Sequence, residues 1–245
     1  SSKNIDWWMT SPSFRNPYVS KLLNYLCVID TLYILRFKNI KLYTESRVFG
    51  KLIIETFKNE NIEINIKQGN RSSFNKFKIF FKSIIYQSFI YLLIKFTKKK
   101  EKFENKKIIL VDKFITFKEK QNLGYFPELH NLKNVRVVPT FMPTLSIFNL
   151  IKIFSHIKKN PHKFIYKEQY LKFKDLFFSF THVFRRKQFS KTKFYYKKIN
   201  LSKLVQEELE NYVDFYSINN GLLNYKFFYR LSKSGTNVIK SFNWF

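Results

Sequence analysis

The feature that most constrains the fold is an alternation of strand and helix patterns in residues 40–67. Two short apolar runs, Ile40–Thr44 and Ile62–Lys67, read as strands and enclose a helical pattern at Arg47–Lys58. Strands joined through a helix by short connections run parallel in the same sheet. The alternation therefore predicts an α/β fold with a doubly wound, Rossmann-like parallel sheet.

The same pattern is expected on both sides of this segment. Residues 4–9 predict an earlier strand, and Asn16-Pro17 predicts the N-cap and first residue of a helix that runs to Arg36. Later, Ile108–Val111 reads as a buried strand that ends at Asp112, and Val135–Val138 reads as the next strand.

We expect a single Rossmann-like domain over residues 1–245, with an amphipathic helical insertion at 72–104 and a mainly helical part at 145–234. Beyond Pro143 the patterns predict four helices and a last strand: 145–158, 164–187, 202–212, 221–231 and 237–242.

Charge is the second constraint. The chain has 45 Lys and Arg against 17 Asp and Glu, a net charge of +28, which favours a polyanionic partner such as nucleic acid or an anionic membrane surface. However, 37 of the 45 basic residues are Lys, and Phe and Tyr are also abundant. These residues share A/T-rich codons, so part of the charge reflects a compositional bias. No nucleic-acid-binding motif organises the basic residues, which leaves nucleic-acid binding as the alternative function.

The insertion at 72–104 is predicted to form a helix, and two interpretations of this helix remain open. Its apolar centre is only twelve uncharged residues long, between Lys82 and Lys95, which is too short to span a bilayer. The helix is either buried with solvated ends or lies in a membrane interface with its lysines on lipid phosphates. The lysines predicted to contact the membrane are Lys76, Lys78, Lys82, Lys95, Lys98 and Lys99.

Several kinds of site are not expected. The four histidines are scattered, and the single Cys27 forms no ligand cluster with them, so no metal site is predicted. The chain contains neither G-x-G-x-x-G nor G-x-x-x-x-G-K-[ST], so no nucleotide-binding loop is predicted. A lone cysteine also favours a reducing compartment.

The stretch WWMTSPSFRNP stands out because its composition does not follow the bias of the rest of the chain. If a strand precedes it and a helix follows it, this loop lies at the carboxyl edge of the sheet, where α/β proteins bind ligands. A helix N-terminus and an arginine fork both favour anions. The loop residues predicted to bind substrate are Thr10, Ser11, Ser13, Arg15 and Asn16. The alternative is that Asn16 only caps the helix and the hydroxyl groups form local turns.

Three further residues are candidates at the same edge. Asp112 follows a central strand and could act as a general base on a hydroxyl group, although a local cap or a lysine partner would also explain it. Glu128 and His130, in GYFPELH, are predicted to contact substrate, with a surface histidine as the commoner outcome.

Together the opening loop, GYFPELH and the closing NWF resemble bacterial surface-carbohydrate biosynthesis transferases, the GT-B-like enzymes of O-antigen and capsule clusters. The resemblance covers residues 5–45 and 106–138 best, and 237–245 more weakly. Its motif positions here are Trp8, Ser11, Ser13, Asn16 and Pro17. The family often has an acidic residue beside that asparagine, where this chain has Phe14 and Arg15.

The resemblance implies an acceptor-side, N-terminal domain of a glycosyltransferase that builds a cell-surface polysaccharide. The donor, a nucleotide-activated sugar, would bind in a second domain outside this chain, and no cofactor is expected in the chain itself. Lipid-linked or membrane-bound glycan acceptors imply a cytoplasmic protein that is peripheral to the inner membrane. The remaining alternative is a non-catalytic scaffold on the membrane surface.

Overall fold

In the computed structural model the chain is an α/β protein whose longer strands pair in parallel. The residues that the structure describes are 9, 20–35, 39–58, 60–67, 73–97, 107–115, 134–141, 145–158, 164–211 and 215–242. By its contacts the chain divides into two units, the first formed by residues 1–80 and 180–218 and the second by 81–179 and 219–245.

The helices of the described residues are α1 Leu22–Leu35, α2 Arg47–Thr56, α3 Ser73–Thr97, α4 Ile147–Lys158, α5 Lys167–Tyr170, α6 Phe173–Phe180, α7 His182–Arg185, α8 Ser202–Asn211 and α9 Phe215–Ser232, with a 3-10 helix at Arg186–Lys191. The strands are β1 Asn39–Thr44, β2 Asn61–Ile66, β3 Lys107–Ile115, β4 Val135–Phe141, β5 Tyr195–Tyr196, β6 Ile199–Asn200 and β7 Asn237–Phe242.

The first unit has the predicted β-α-β arrangement. Strands β1 and β2 pair in parallel, and α2 connects them. Ser46 caps α2 because its hydroxyl accepts the N–H of Phe49 at 2.9 Å. Gly50 lets α2 approach β2 closely, since a Cβ at this position would lie 3.1 Å from Ile64 Cγ2. The unit's core also includes Ile29 and Leu204 from α1 and α8.

The second unit has a three-stranded parallel sheet in the order β4-β3-β7. Phe164 adds a parallel bridge to Val137 on the outer side of β4, and the N–H of Ile165 donates to the Val137 carbonyl at 2.9 Å. Helix α9 leads into the parallel strand β7, so it runs back against the strand direction.

Five predictions differ from this architecture. Among the described residues, the parallel strands form two separate sheets instead of one, and β3 continues to Ile115, past Asp112. The helix expected at 221–231 begins six residues earlier, at Phe215. The helix expected from Pro17 begins at Leu22, where the Ser20 hydroxyl accepts the Leu22 N–H at 3.2 Å. The helix expected over 164–187 is broken into a bridge and several short helices. Apart from Met9, the predicted first strand lies outside the described residues.

The hairpin β5–β6 was not predicted, and its turn holds two lysines in a left-handed backbone conformation. Lys197 has φ 45° and Lys198 has φ 68°, a conformation that costs residues with a Cβ about 1–2 kcal/mol. Lys197 is retained by an ion pair to Asp30 at 2.7 Å. Lys198 is exposed.

Replacing Lys198 by glycine is therefore expected to raise the free energy of unfolding by about 1 kcal/mol, because glycine adopts positive φ without steric cost. Urea-induced unfolding measures the change. The matched control is Lys51→Gly on the exposed face of α2, which should lower stability by about 1 kcal/mol. A destabilised Lys198→Gly variant would contradict the prediction.

Candidate functional site

The candidate site combines Asp112, in the carboxyl half of the second unit's sheet, with two buried charged side chains of the short helix α5. Its first member is Asp112 on β3, which lies directly beside Val138 on β4 in the strand register. The Thr140 hydroxyl donates a hydrogen bond of 2.8 Å to Asp112 Oδ1. This bond fixes the orientation of a half-buried carboxylate on the sheet face.

A small cavity lies beside this carboxylate. It measures ≈ 10 Å³, which is the space that one water molecule needs. Its lining combines polar side chains with two aromatic rings of α9: Leu110, Asp112, Val138, Asn224, Phe227, Phe228 and Ser241. The cavity can hold a water molecule or a single hydroxyl group next to Asp112.

The second member is the lysine that opens α5. Lys167 is only 4% exposed, and its ammonium group donates to Asn220 Oδ1 and, at 3.2 Å, to Asn224 Oδ1. Burial lowers the pKa of Lys167, while the negative charges of Glu168 and Asp112 oppose that change. Asn224 therefore connects this lysine with the cavity beside Asp112.

Glu168, the next residue, is the third member and is 5% exposed. Its Oε2 is buried without a hydrogen-bond partner among the described residues. Burial raises the pKa of this carboxyl group, against the opposing effects of Lys167, its own backbone N–H and Lys95. A carboxyl group that is hard to ionise exchanges protons closer to neutral pH than an ordinary glutamate.

The one-turn helix α5 is held in place by Lys95 of α3. The Lys95 ammonium group donates to the backbone carbonyls of Glu168, Gln169 and Leu171 at 3.3, 3.1 and 3.0 Å. These carbonyls belong to the end of the helix, where no further turn accepts hydrogen bonds. Lys95 therefore acts as a C-terminal cap that fixes the polar residues of α5.

The variant Glu168→Gln measures how much the burial of the Glu168 carboxyl group lowers the free energy of unfolding. Because the pKa of Glu168 is raised on folding, its favourable contribution is complete below the ordinary value near 4.5 and is lost as pH rises through the folded-state value. We expect the variant to be more stable than the parent by about 1–3 kcal/mol at neutral pH, and the gain to shrink in acid. Urea unfolding at several pH values measures it.

The control is Glu63→Gln at an exposed position of β2, which should change stability by less than about 0.5 kcal/mol at every pH. A Glu168→Gln variant that is equally destabilised at all pH values would mean that the carboxylate is needed for packing.

Among the described residues, the structure places two of the residues that the sequence singled out in the site: Asp112, and Lys95, which was predicted to contact a membrane and here caps α5. Asp112 lies in the site, within β3 and not at its end as predicted. The predicted substrate-binding residues Thr10, Ser11, Ser13, Arg15, Asn16, Glu128 and His130 lie outside the described residues, as do Lys98 and Lys99 and the side chain of Lys76. Lys78 and Lys82 are exposed on α3.

Lys167 and Glu168 were missed because their segment was predicted to be the start of a long helix. The signal that could have identified them is a Lys-Glu-Gln triplet enclosed by apolar residues in FIYKEQYL, where charges interrupt an otherwise buried run. Such a triplet must either face solvent or find buried partners. Here the bridge at Phe164 directs it into the interior.

Among the described residues, no group of three His, Cys, Asp or Glu side chains could hold a metal ion. In the same part of the chain, residues 77–96 of α3 are long and apolar enough to cross a membrane by length and composition, and 33% of that window is buried inside the protein. This differs from the sequence prediction, which counted only the twelve uncharged residues between Lys82 and Lys95.

The order and pairing of the described strands place the protein in the α/β class with parallel strands. No protein-family model matches the sequence, and neither a curated protein nor a solved structure is significantly similar to it.

Proposed function

We propose that the chain is the acceptor-side part of a glycosyltransferase with a Rossmann-like, GT-B type of fold. The enzyme would transfer a sugar from a nucleotide-activated donor to a glycan hydroxyl during assembly of a bacterial cell-surface polysaccharide. The observation that carries the proposal is the oriented carboxylate in the carboxyl half of a parallel sheet, held by the 2.8 Å bond from Thr140 to Asp112.

In this proposal Asp112 is the general base. The acceptor hydroxyl gives its proton to the Asp112 carboxylate while its oxygen forms a bond to the anomeric carbon of the donor sugar. The bond from that carbon to the phosphate oxygen breaks, and the nucleotide leaves with the electron pair. The one-water cavity beside Asp112 suits a single hydroxyl group, since a whole sugar ring would not enter it.

Other residues are assigned by the resemblance and by chemistry. The opening loop, with Arg15 as its cation, would hold an anionic group of the acceptor or donor, and Glu128 and His130 would contact the substrate. The donor would bind in a second domain outside this chain. A lipid-linked acceptor would place the protein on the cytoplasmic face of an anionic membrane.

Transfer of label tests the function. The longest protein that the gene encodes is incubated with bacterial inner membranes as acceptor and with radiolabelled UDP-glucose, UDP-N-acetylglucosamine or GDP-mannose. We expect at least one sugar to enter the lipid or glycan fraction, and no label without the protein. If these and the remaining common nucleotide sugars all fail, while RNA binds tightly in a salt-dependent way, the nucleic-acid alternative replaces this proposal.

A further inference from the structure

Helix α3 has two apolar faces in the second unit. One face is buried and includes Tyr86, Ile90 and Ile94. On the other side, four large apolar residues are exposed at separations of four, seven and four residues, so they lie on one face of the helix. We refer to these residues as the apolar stripe: Phe81, Ile85, Leu92 and Phe96.

The exposure of the apolar stripe is large. Ile85 is 62% exposed and Phe96 is 85% exposed. An ordinary amphipathic helix turns polar residues to the surface, so a second apolar face points to a partner that is itself apolar.

Within the second unit, contacts at Ser83 and Lys95 hold this part of α3 against its neighbours. Ser83 accepts a hydrogen bond of 3.3 Å from Asn219 in α9, and Lys95 caps α5 from the other end. The exposed side of residues 81–96 therefore remains for a partner, which must lie against that side, parallel to the helix axis. This geometry suits a surface into which one face of a helix sinks.

Lysines on the stripe's border indicate the charge of that surface. Lys78 and Lys82 are exposed and lie one turn before Phe81 and Ile85, respectively. The sequence continues after the helix with Lys98, Lys99 and Lys100. Helix α4 repeats the combination, with exposed Phe148 and the Lys152 ammonium group 4.4 Å from its ring centroid.

We propose that the apolar stripe of α3 docks the protein on an anionic lipid bilayer, with the helix axis in the membrane plane. The stripe would enter the boundary between headgroups and acyl chains, while Lys78 and Lys82 meet lipid phosphates. The inference deepens the membrane association in the proposed function, on which it rests, but its test does not require sugar transfer. A second copy of the chain is a poorer occupant, because pairing would bring two bodies of +28 charge together.

Vesicle flotation tests the proposal. The protein is mixed with vesicles of phosphatidylcholine and phosphatidylglycerol, and with vesicles of phosphatidylcholine alone. We expect binding to the anionic vesicles only, and partitioning about tenfold weaker for Phe96→Ser, because burying a phenylalanine contributes about that factor. Ile85→Ser should show a similar loss.

The matched control is Phe173→Ser. Phe173 is 73% exposed and lies between Lys172 and Lys174, so it shares residue type, exposure and neighbouring charge with Phe96 but is not on the stripe. Its substitution should leave partitioning unchanged. An equal loss in the control would show that composition alone drives binding and would overturn the proposal.

A second measurement does not require a variant with weaker membrane binding. In Phe96→Trp, the added tryptophan emission should shift to the blue on anionic vesicles, whereas Phe173→Trp should show no such shift. Absence of the shift at position 96, or a concentration-dependent dimer that Phe96→Ser abolishes, would overturn docking on lipid. Sugar transfer is also measured with Phe96→Ser on a detergent-solubilised acceptor, which needs no membrane docking. An unchanged rate there would show that the enzyme assignment holds even if docking on lipid fails.

Discussion

Asp112→Asn is expected to lower the rate of sugar transfer by about 10²–10⁴-fold, the usual contribution of a positioned general base. An amide cannot accept the proton of the acceptor hydroxyl at neutral pH. The substitution keeps the shape of the side chain and an oxygen that can accept the Thr140 hydroxyl, so the sheet is expected to fold as before. The rate is measured by incorporation of labelled sugar into bacterial membranes.

Two comparisons make this result specific. Thr140→Val keeps the carboxylate but removes the bond that orients it, and a smaller loss is expected. Glu63→Gln, at the surface of β2, should leave the rate unchanged. If Asp112→Asn transfers sugar at the parent rate, Asp112 is not the base, although the transferase assignment would stand.

Asp175→Ala is expected to lower the free energy of unfolding by about 3–5 kcal/mol, the cost of breaking a buried ion pair from one side. Asp175 of α6 binds Arg230 of α9 through two hydrogen bonds, of 2.5 Å from Nε and 2.9 Å from Nη2. The two side chains are 4% and 18% exposed. Removing the carboxylate would leave the guanidinium group largely buried without its main anionic partner.

The pH dependence of this loss has a defined sign. Burial of Asp175 favours the neutral acid, but Arg230 and the N–H of Lys172 outweigh it and hold the pKa below its ordinary value of 3.8. The ion pair therefore stabilises the fold fully above pH 3.8 and loses that effect as pH falls through the lower folded-state value. The difference between Asp175→Ala and the parent should shrink in strong acid.

Asp30→Ala is the matched control for the ion pair. Asp30 pairs with Lys197 at 2.7 Å, but both side chains are substantially exposed. Exposed pairs contribute little, so a clearly smaller loss than that of Asp175→Ala is expected in urea unfolding, although the Tyr196 hydroxyl also loses its acceptor on Asp30. Equal losses for Asp30→Ala and Asp175→Ala would contradict the argument that burial decides the cost.

Local signals in the sequence predicted most of the regular elements. The runs in residues 40–67 became β1, α2 and β2, because alternation of apolar residues and the Ser46 cap act within a few neighbouring residues. The strand predicted at 237–242 and the helices predicted at 145–158 and 202–212 were confirmed as β7, α4 and α8 for the same reason. The α/β class with parallel strands followed from their order.

Sheet membership and the candidate site required contacts between distant residues. The sequence could not show that the parallel strands belong to two sheets. Each strand pattern indicates which residues are buried, but it does not specify which strand is the neighbour. The sequence placed Asp112 at a strand end because two charged residues, Asp112 and Lys113, interrupt the apolar run. The pairing of Phe114 with Thr140 extends the strand beyond it.

The sequence by itself determined that this chain forms helices and parallel strands, that it is strongly basic, and that Asp112 follows a buried apolar run. The tertiary structure added that β3 continues past Asp112, which places this carboxylate within the sheet. Only the tertiary structure decided that Lys167 and Glu168 are buried, and that Asn224 links Lys167 with the cavity at Asp112. A charged pair in a short segment is stable in solvent or in the interior, depending on its partners. Those partners, Asn220, Asn224 and the Lys95 cap, lie more than fifty residues away along the chain.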